Sequence, residues 1–193
     1  VASVSAGYYA SGESAMMGMP IKGLVSTHGS DRVVNDSAAT ATALATGERT
    51  RYGSVGVAPS SPGGDLVPAA SVLERAEAMG LKTGLVTSTT LTHATPASFY
   101  AHHAKRGEEQ TIAKFFVDLP SRVEGSDGID VAFGGGESRF FEELIADLRK
   151  QGVYYSTSWE DQPAPSDKRV LRLLAPKGLP AAPERLSGES EVP

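Results

Sequence analysis

The chain has 193 residues, 40% of them apolar, a formal net charge of -5 and no cysteine. That is enough material for one packed domain, and the charge gives no electrostatic pull toward nucleic acid or an anionic membrane. Disulfides and thiolate metal sites are excluded, and no apolar run approaches the length of a membrane-spanning helix.

The chain opens at Val1 with "VASVSAGYYA", which lacks the basic-then-apolar order of a signal peptide, and stops in the polar "SGESEVP". Both ends read as cuts within a longer protein. In chain order, "IKGLVSTHG" (Ile21 to Gly29) is the first expected strand. The run Ser37–Thr46 is an expected helix, because alanine is the best helix former and Gly47 supplies a stop. "GSVGVAPSSPGGD" reads as a short strand running into a loop, and "VPAASVLERAEAMG" has apolar residues at helical spacing up to Gly80. "KTGLVTST" has the form of a buried strand, "EEQTIAKFFVDL" is helical, and "IDVAFGGG" is strand into glycine loop. "ESRFFEELIADLRKQG" is an amphipathic helix and "VLRLLAP" a late strand, with looser structure expected around it from Trp159 onward.

Strands alternating with helices predict an α/β fold around a mostly parallel sheet, with no internal repeat. Such sheets place their chemistry in loops beyond the carboxyl ends of strands, which directs attention to Ser30–Ser37, Ser88–Arg106 and Gly134–Arg139.

In "NDSAATATALATG", Asp36 or Ser37 caps the helix, and the same geometry would set a serine where a phosphate can rest on unpaired N–H groups. A serine hydroxyl needs a base or a metal to attack at neutral pH, and no GxSxG elbow surrounds Ser37, which leaves a metal as the activator. In "LTHATPASFYAHHAKRG", Thr95 offers a hard oxygen and His93 a ring nitrogen or a contact to bound water. Arg106 follows an expected helical stretch and is placed to return a guanidinium, which grips phosphate through two parallel hydrogen bonds. Each of these residues equally suits a bland part: a cap, a turn, a surface arginine. His102 and His103 are adjacent and project apart, His28 reads as structural or surface, and "GGGES" reads as a plain turn. Asp31 and Asp36 are carboxylates at home in either role.

Taken together, "NDSAATATALATG" and "KTGLVTSTTLTHATPASFYAHHAKR" resemble the N-terminal half of an alkaline phosphatase, with the likeness continuing through "IDVAFGGGESRFF" and "LIADLRKQGVYY". The resemblance implies a three-layer α/β/α sandwich, incomplete in this chain, with residues 1–158 as the nucleophile half of the catalytic domain and residues 159–193 as a looser continuation. It implies hydrolysis of phosphate monoesters, two zinc ions and one magnesium ion, and a phosphoserine formed on Ser37. In that scheme Ser37 is both nucleophile and zinc ligand, Arg106 clamps the phosphate, and Asp36 orients Arg106. Thr95 is a magnesium ligand and His93 stands in the outer shell of that ion. Many bacterial members carry aspartate where this chain has His93, and imidazole suits zinc better than magnesium.

The family's first bridging aspartate has no counterpart here, since no Asp precedes Asp31, and three of the four histidines match no ligand position. The chain is therefore expected to hold about half of a site and to be inactive alone. By the same resemblance the whole protein is periplasmic, secreted or surface-bound, and a homodimer acting on small phosphomonoesters. Two other readings stay open on the residues: a phosphodiesterase, sulfatase or phosphomutase of the same superfamily, or a phosphate-binding domain without catalysis.

Overall fold

The computed structural model describes residues 18–21, 23, 26–164 and 168–180. The opening "VASVSAGYYA" and the final "SGESEVP" lie outside these residues.

The first element described in full is helix α1, Ser37–Thr46. It is made almost wholly of alanine and threonine, and the small side chains let it pack tightly. Ala38, Ala39, Ala41, Thr42 and Ala45 are buried. The Thr42 hydroxyl lies 3.2 Å from both the Ser54 carbonyl and Ser98 Oγ, and accepts the Gly56 N–H at 2.9 Å. One buried hydroxyl thus pins α1 to two other segments. Gly47 closes the helix in a left-handed conformation, φ 81°, donating its N–H to the Ala43 carbonyl.

Strands β1 (Val57–Pro59) and β2 (Leu66–Pro68) form an antiparallel hairpin. Helix α2, Val72–Ala78, starts with a capping box in which Ser71 and Glu74 satisfy each other's backbone N–H groups. Strand β3 (Gly84–Thr90) leads to a single helical turn, α3 (Ala94–Ala97). Helix α4 (Glu109–Val117) buries Ile112, Ala113, Phe116 and Val117, the spacing of one helix face, and α5 (Leu119–Arg122) follows. Strand β4 (Val131–Gly135) runs into a 3₁₀ turn at Glu137–Arg139. Helix α6 (Glu142–Lys150) carries acids in its first turn and bases in its last, which complements its dipole. Strands β5 (Val153–Ser156) and β6 (Arg169–Leu173) complete the described chain.

The expected α/β architecture is present. Four strands pair in parallel in the order β3-β4-β6-β5, flanked by helices, so β6 enters between two strands that precede it in sequence. The core gathers Leu91, Tyr100, Ile112, Leu119, Leu148 and Leu171, all nearly inaccessible, with Phe116 stacked edge-on between Tyr100 and Phe140. Among the described residues no helix is long and apolar enough to cross a membrane.

Four expectations need correction. "KTGLVTST", expected as a buried strand, is strand β3 at one end of the described sheet, with Gly84–Thr89 exposed or half-buried and only Thr90 buried. None of the described residues between Ile21 and Gly29 is in a strand. The chain turns at the end of that stretch instead, with Gly29 N–H bonded to the Arg32 carbonyl and Ser30 N–H to the Thr50 carbonyl. Val67 and Pro68, at the start of the stretch with helical spacing, belong instead to strand β2. The stretch before Arg106 is helical for one turn only. Ser98 Oγ bonds back to the Ala94 carbonyl, and the backbone then straightens so that His103 and Val55 exchange both backbone hydrogen bonds.

Candidate active site

Asp36, not Ser37, is the cap of α1. Its extended backbone (φ -104°, ψ 177°) lets Oδ1 accept the Ala39 N–H at 3.1 Å. Ser37 is therefore the first helical residue and is exposed. Capping by Asp36 leaves the serine hydroxyl unspent on the helix and turned toward solvent.

Arg106 converges on the same point from the far end of the chain segment that follows β3. Its Nη1 donates to Asp36 Oδ2 at 3.0 Å and to Ser37 Oγ at 2.8 Å, while Nη2 lies 3.0 Å from His93 Nε2. A guanidinium only donates, so His93 Nε2 accepts and the ring proton sits on Nδ1. That Nδ1 is buried and has no hydrogen-bond partner among the described residues. Arg106 is thus braced from both sides, by a carboxylate on one nitrogen and an imidazole on the other.

The backbone beneath is tied just as closely. The Gly53 N–H donates to Asp36 Oδ1 at 3.2 Å, and the Gly53 carbonyl accepts the Arg106 N–H at 2.7 Å. Gly53 has φ 78°, a conformation that disfavours any residue with a Cβ. Burial pushes the Asp36 carboxyl up, but the hydrogen bonds from Ala39, Arg106 and Gly53 and the Arg106 charge outweigh this and leave it below the usual carboxylate range. Asp36 is accordingly an acceptor of hydrogen bonds and not a proton donor at neutral pH.

Of the residues singled out from sequence, Asp36, Ser37, Arg106 and His93 form one connected cluster. Thr95 stands exposed on α3, two residues beyond His93. His28 bonds Ser26 at the surface, His103 pairs with the exposed Glu108 at 2.8 Å, and Asp31 accepts the Tyr52 N–H. His102 points the other way from His103, into the protein, as expected of neighbours that diverge. In "GGGES", the N–H groups of Gly136, Glu137 and Ser138 go to the carbonyls of Ala175, Pro176 and Lys177, so they do not form an anion cradle. Sequence reasoning missed Gly53, whose only signal was a lone glycine in "RTRYGSV", and Glu109, which reads as an ordinary helix-start acid.

Among the described residues there is no group of three histidine, aspartate or glutamate side chains able to hold a metal ion. Ser37 Oγ, Thr95 Oγ1 and the His93 ring supply neutral donors without a carboxylate pair to balance a dication. They do not make a zinc or magnesium site by themselves.

The alkaline phosphatase family profile matches residues 8–161. This chain belongs to that family. Alkaline phosphatase 4 of Bacillus subtilis is 37% identical over 170 residues, covering 86% of this chain and 35% of the relative. The alkaline phosphatase of the Antarctic bacterium TAB5 superposes with a TM-score of 0.75 at 31% identity, covering 92% of this chain and 50% of that one. A variant of the TAB5 enzyme described with magnesium bound in its M3 site superposes with a TM-score of 0.74 at 31% identity, covering 91% of this chain and 49% of that one. The chain thus spans about a third of the curated relative and half of the solved one.

Proposed function

We propose that this chain carries the nucleophile and phosphate-clamping half of a phosphomonoesterase site. The observation that supports this best is the shared donor: one nitrogen of Arg106 reaches both Asp36 and Ser37 Oγ. A phosphate seated against Ser37 would meet this guanidinium directly, and the exposed hydroxyl would face phosphorus at the start of a helix.

On this reading Ser37 Oγ forms a bond to phosphorus while the bond to the leaving alcohol's oxygen breaks. The hydroxyl proton leaves to solvent and the departing oxygen gains one. Water then attacks phosphorus and gives up a proton, the Ser37–phosphorus bond breaks with Oγ regaining a proton, and inorganic phosphate departs. Arg106 follows the phosphoryl oxygens throughout, held in line by Asp36 and His93, and the N-terminus of α1 favours the negative charge.

Family resemblance leads us to propose two zinc ions and one magnesium ion for the active enzyme, with Ser37 and Thr95 as oxygen donors and His93 in the outer shell of the third ion. The donors named above fall short of such a set, so the 193-residue chain alone is expected to show little turnover. A homodimer outside the cytoplasm, acting on small phosphomonoesters, completes the proposal.

The test is to trap the natural full-length protein with labelled inorganic phosphate at mildly acidic pH. Label should appear on Ser37 and vanish in Ser37→Ala. Label that persists unaltered in Ser37→Ala removes the assignment.

A further inference from the structure

We propose that Glu109 is a positioning residue, which locks the turn bearing His93 to the segment bearing Arg106 and so aims the phosphate clamp. The inference rests on the functional reading above. Glu109 opens α4 only three residues after Arg106. Its Oε2 accepts hydrogen bonds from Thr92 Oγ1 at 2.6 Å and from Thr90 Oγ1 at 2.9 Å. Those two threonines flank the turn into His93, whose N–H bonds the Thr90 carbonyl at 3.0 Å. One carboxylate oxygen therefore joins the two chain segments whose side chains meet at the Arg106–His93 contact.

The third member of the set comes from the glycine loop after β4. Arg139 Nε lies 3.4 Å from Glu109 Oε2. The loop can come this close because Gly136 faces Thr90: a Cβ there would stand 3.0 Å from the Thr90 Cβ. Gly136 also has φ 103°, which disfavours other residues. The triplet glycine, which binds no anion, thus delivers a counter-charge to Glu109.

The convergence exceeds what a helix-start acid requires. An acid in the first turn serves the dipole from an exposed position. Glu109 instead gathers two threonine hydroxyls and a guanidinium. Burial pushes the Glu109 carboxyl up, but the hydrogen bonds from Thr92 and Thr90 and the Arg139 charge outweigh this and hold it below the usual carboxylate range. It stays ionised where the hydroxyls need an acceptor. Thr92 is fully buried, so its hydroxyl must have one.

The test uses the natural full-length protein with its metals, and reads affinity for inorganic phosphate and kcat separately. Glu109→Gln and Thr92→Val are each expected to weaken phosphate binding and lower kcat by about 10-fold, as loss of a supporting contact does. Thr92→Ser, which keeps the hydroxyl, should return both toward wild type. In an Arg106→Ala background, Glu109→Gln should change phosphate affinity no further, because its effect runs through Arg106. Wild-type phosphate affinity and kcat in both Glu109→Gln and Thr92→Val overturn the proposal, as does an undiminished effect without Arg106. Should Glu109→Gln fail to fold, Thr92→Val with Thr92→Ser decides alone. Normal phosphoenzyme formation on Ser37 with an inert Glu109 sinks this inference only, whereas no phosphoenzyme in the unmutated protein sinks the functional reading.

Discussion

Two clusters in this molecule are built from the same three kinds of group, a carboxylate, a guanidinium and an imidazole. In one, Asp36, Arg106 and His93 meet at Ser37; in the other, Glu74, Arg122 and His102 meet between α2, α5 and the loop before Arg106. In the second, His102 Nε2 lies 2.8 Å and Arg122 Nη1 3.3 Å from Glu74 Oε1, and Glu74 Oε2 accepts the Ser71 N–H. Arg122 Nη2 spends itself on the Tyr100 and Phe115 carbonyls, and His102 Nδ1 faces the Gly56 carbonyl. Apart from Arg122 Nε, which is buried with no partner among the described residues, the hydrogen-bonding groups of this cluster meet partners within the protein. The arginines of the two clusters are similarly exposed, Arg122 24% and Arg106 30%, but in the first cluster one Arg106 bond ends on the hydroxyl of the exposed Ser37. Chemistry is available where the network stops short of closing on itself. Residue type alone does not separate a girder from a clamp.

Substitutions should separate the clusters, starting with the largest effect. Arg106→Ala is expected to lower kcat/KM of the full-length protein by about 100-fold or more, as removal of one preorganised charge donor does, with little change in Tm. Glu74→Ala should do the opposite: it leaves Arg122 and His102 without their acceptor and costs about 3 kcal/mol, read as a fall in denaturation midpoint, with phosphate affinity per folded molecule unchanged. A loss of phosphate affinity in Glu74→Ala would erase the distinction.

Asp36→Asn sharpens it further. Asparagine caps a helix as well as aspartate does, so stability should hold while kcat drops by about 10-fold through loss of the charge on Arg106. Smaller still is the pH effect on the closed cluster. Burial raises the Glu74 carboxyl, but His102, the Ser71 N–H and Arg122 outweigh it and lower it from the ordinary 4.5. A lowered folded value means that Glu74 contributes fully above the unfolded value and loses its contribution as pH falls through the folded one. Glu74→Gln should therefore flatten the acid limb of the stability curve, checked by urea unfolding between neutral pH and pH values below the carboxylate range.

How much of this was legible beforehand depends on the range of the interaction. The elements at Val72–Ala78, Gly84–Thr90, Glu109–Val117 and Glu142–Lys150 follow local rules of spacing, caps and glycine stops, and their centres were readable. Val153–Ser156 was not, because "VYYS" is too short to show a period and becomes a strand by pairing with β6. Ser37, Asp36, Arg106 and His93 could be named, since each residue type has a known use beside phosphate. That Asp36 caps the helix while Ser37 stays free was undecided, because both residues cap well. Gly53 and Glu109 were invisible for a different reason. Their partners lie 17 residues away for Gly53 and 17 and 19 for Glu109, and only the fold brings them near.

The order of the parallel sheet also has a consequence for synthesis. A chain emerging from the ribosome N-terminus first makes β3, β4 and β5 before β6 exists. β4 and β5 are not neighbours; each pairs with β6. Until residues 169–173 have cleared the exit tunnel, β5 has no partner among the described strands and β4 lacks its β6 neighbour. Among the described strands, the platform under the β3 and β4 loops is thus completed by β6, and a nascent chain stalled before Arg169 would leave the β6-facing edges of β4 and β5 unpaired.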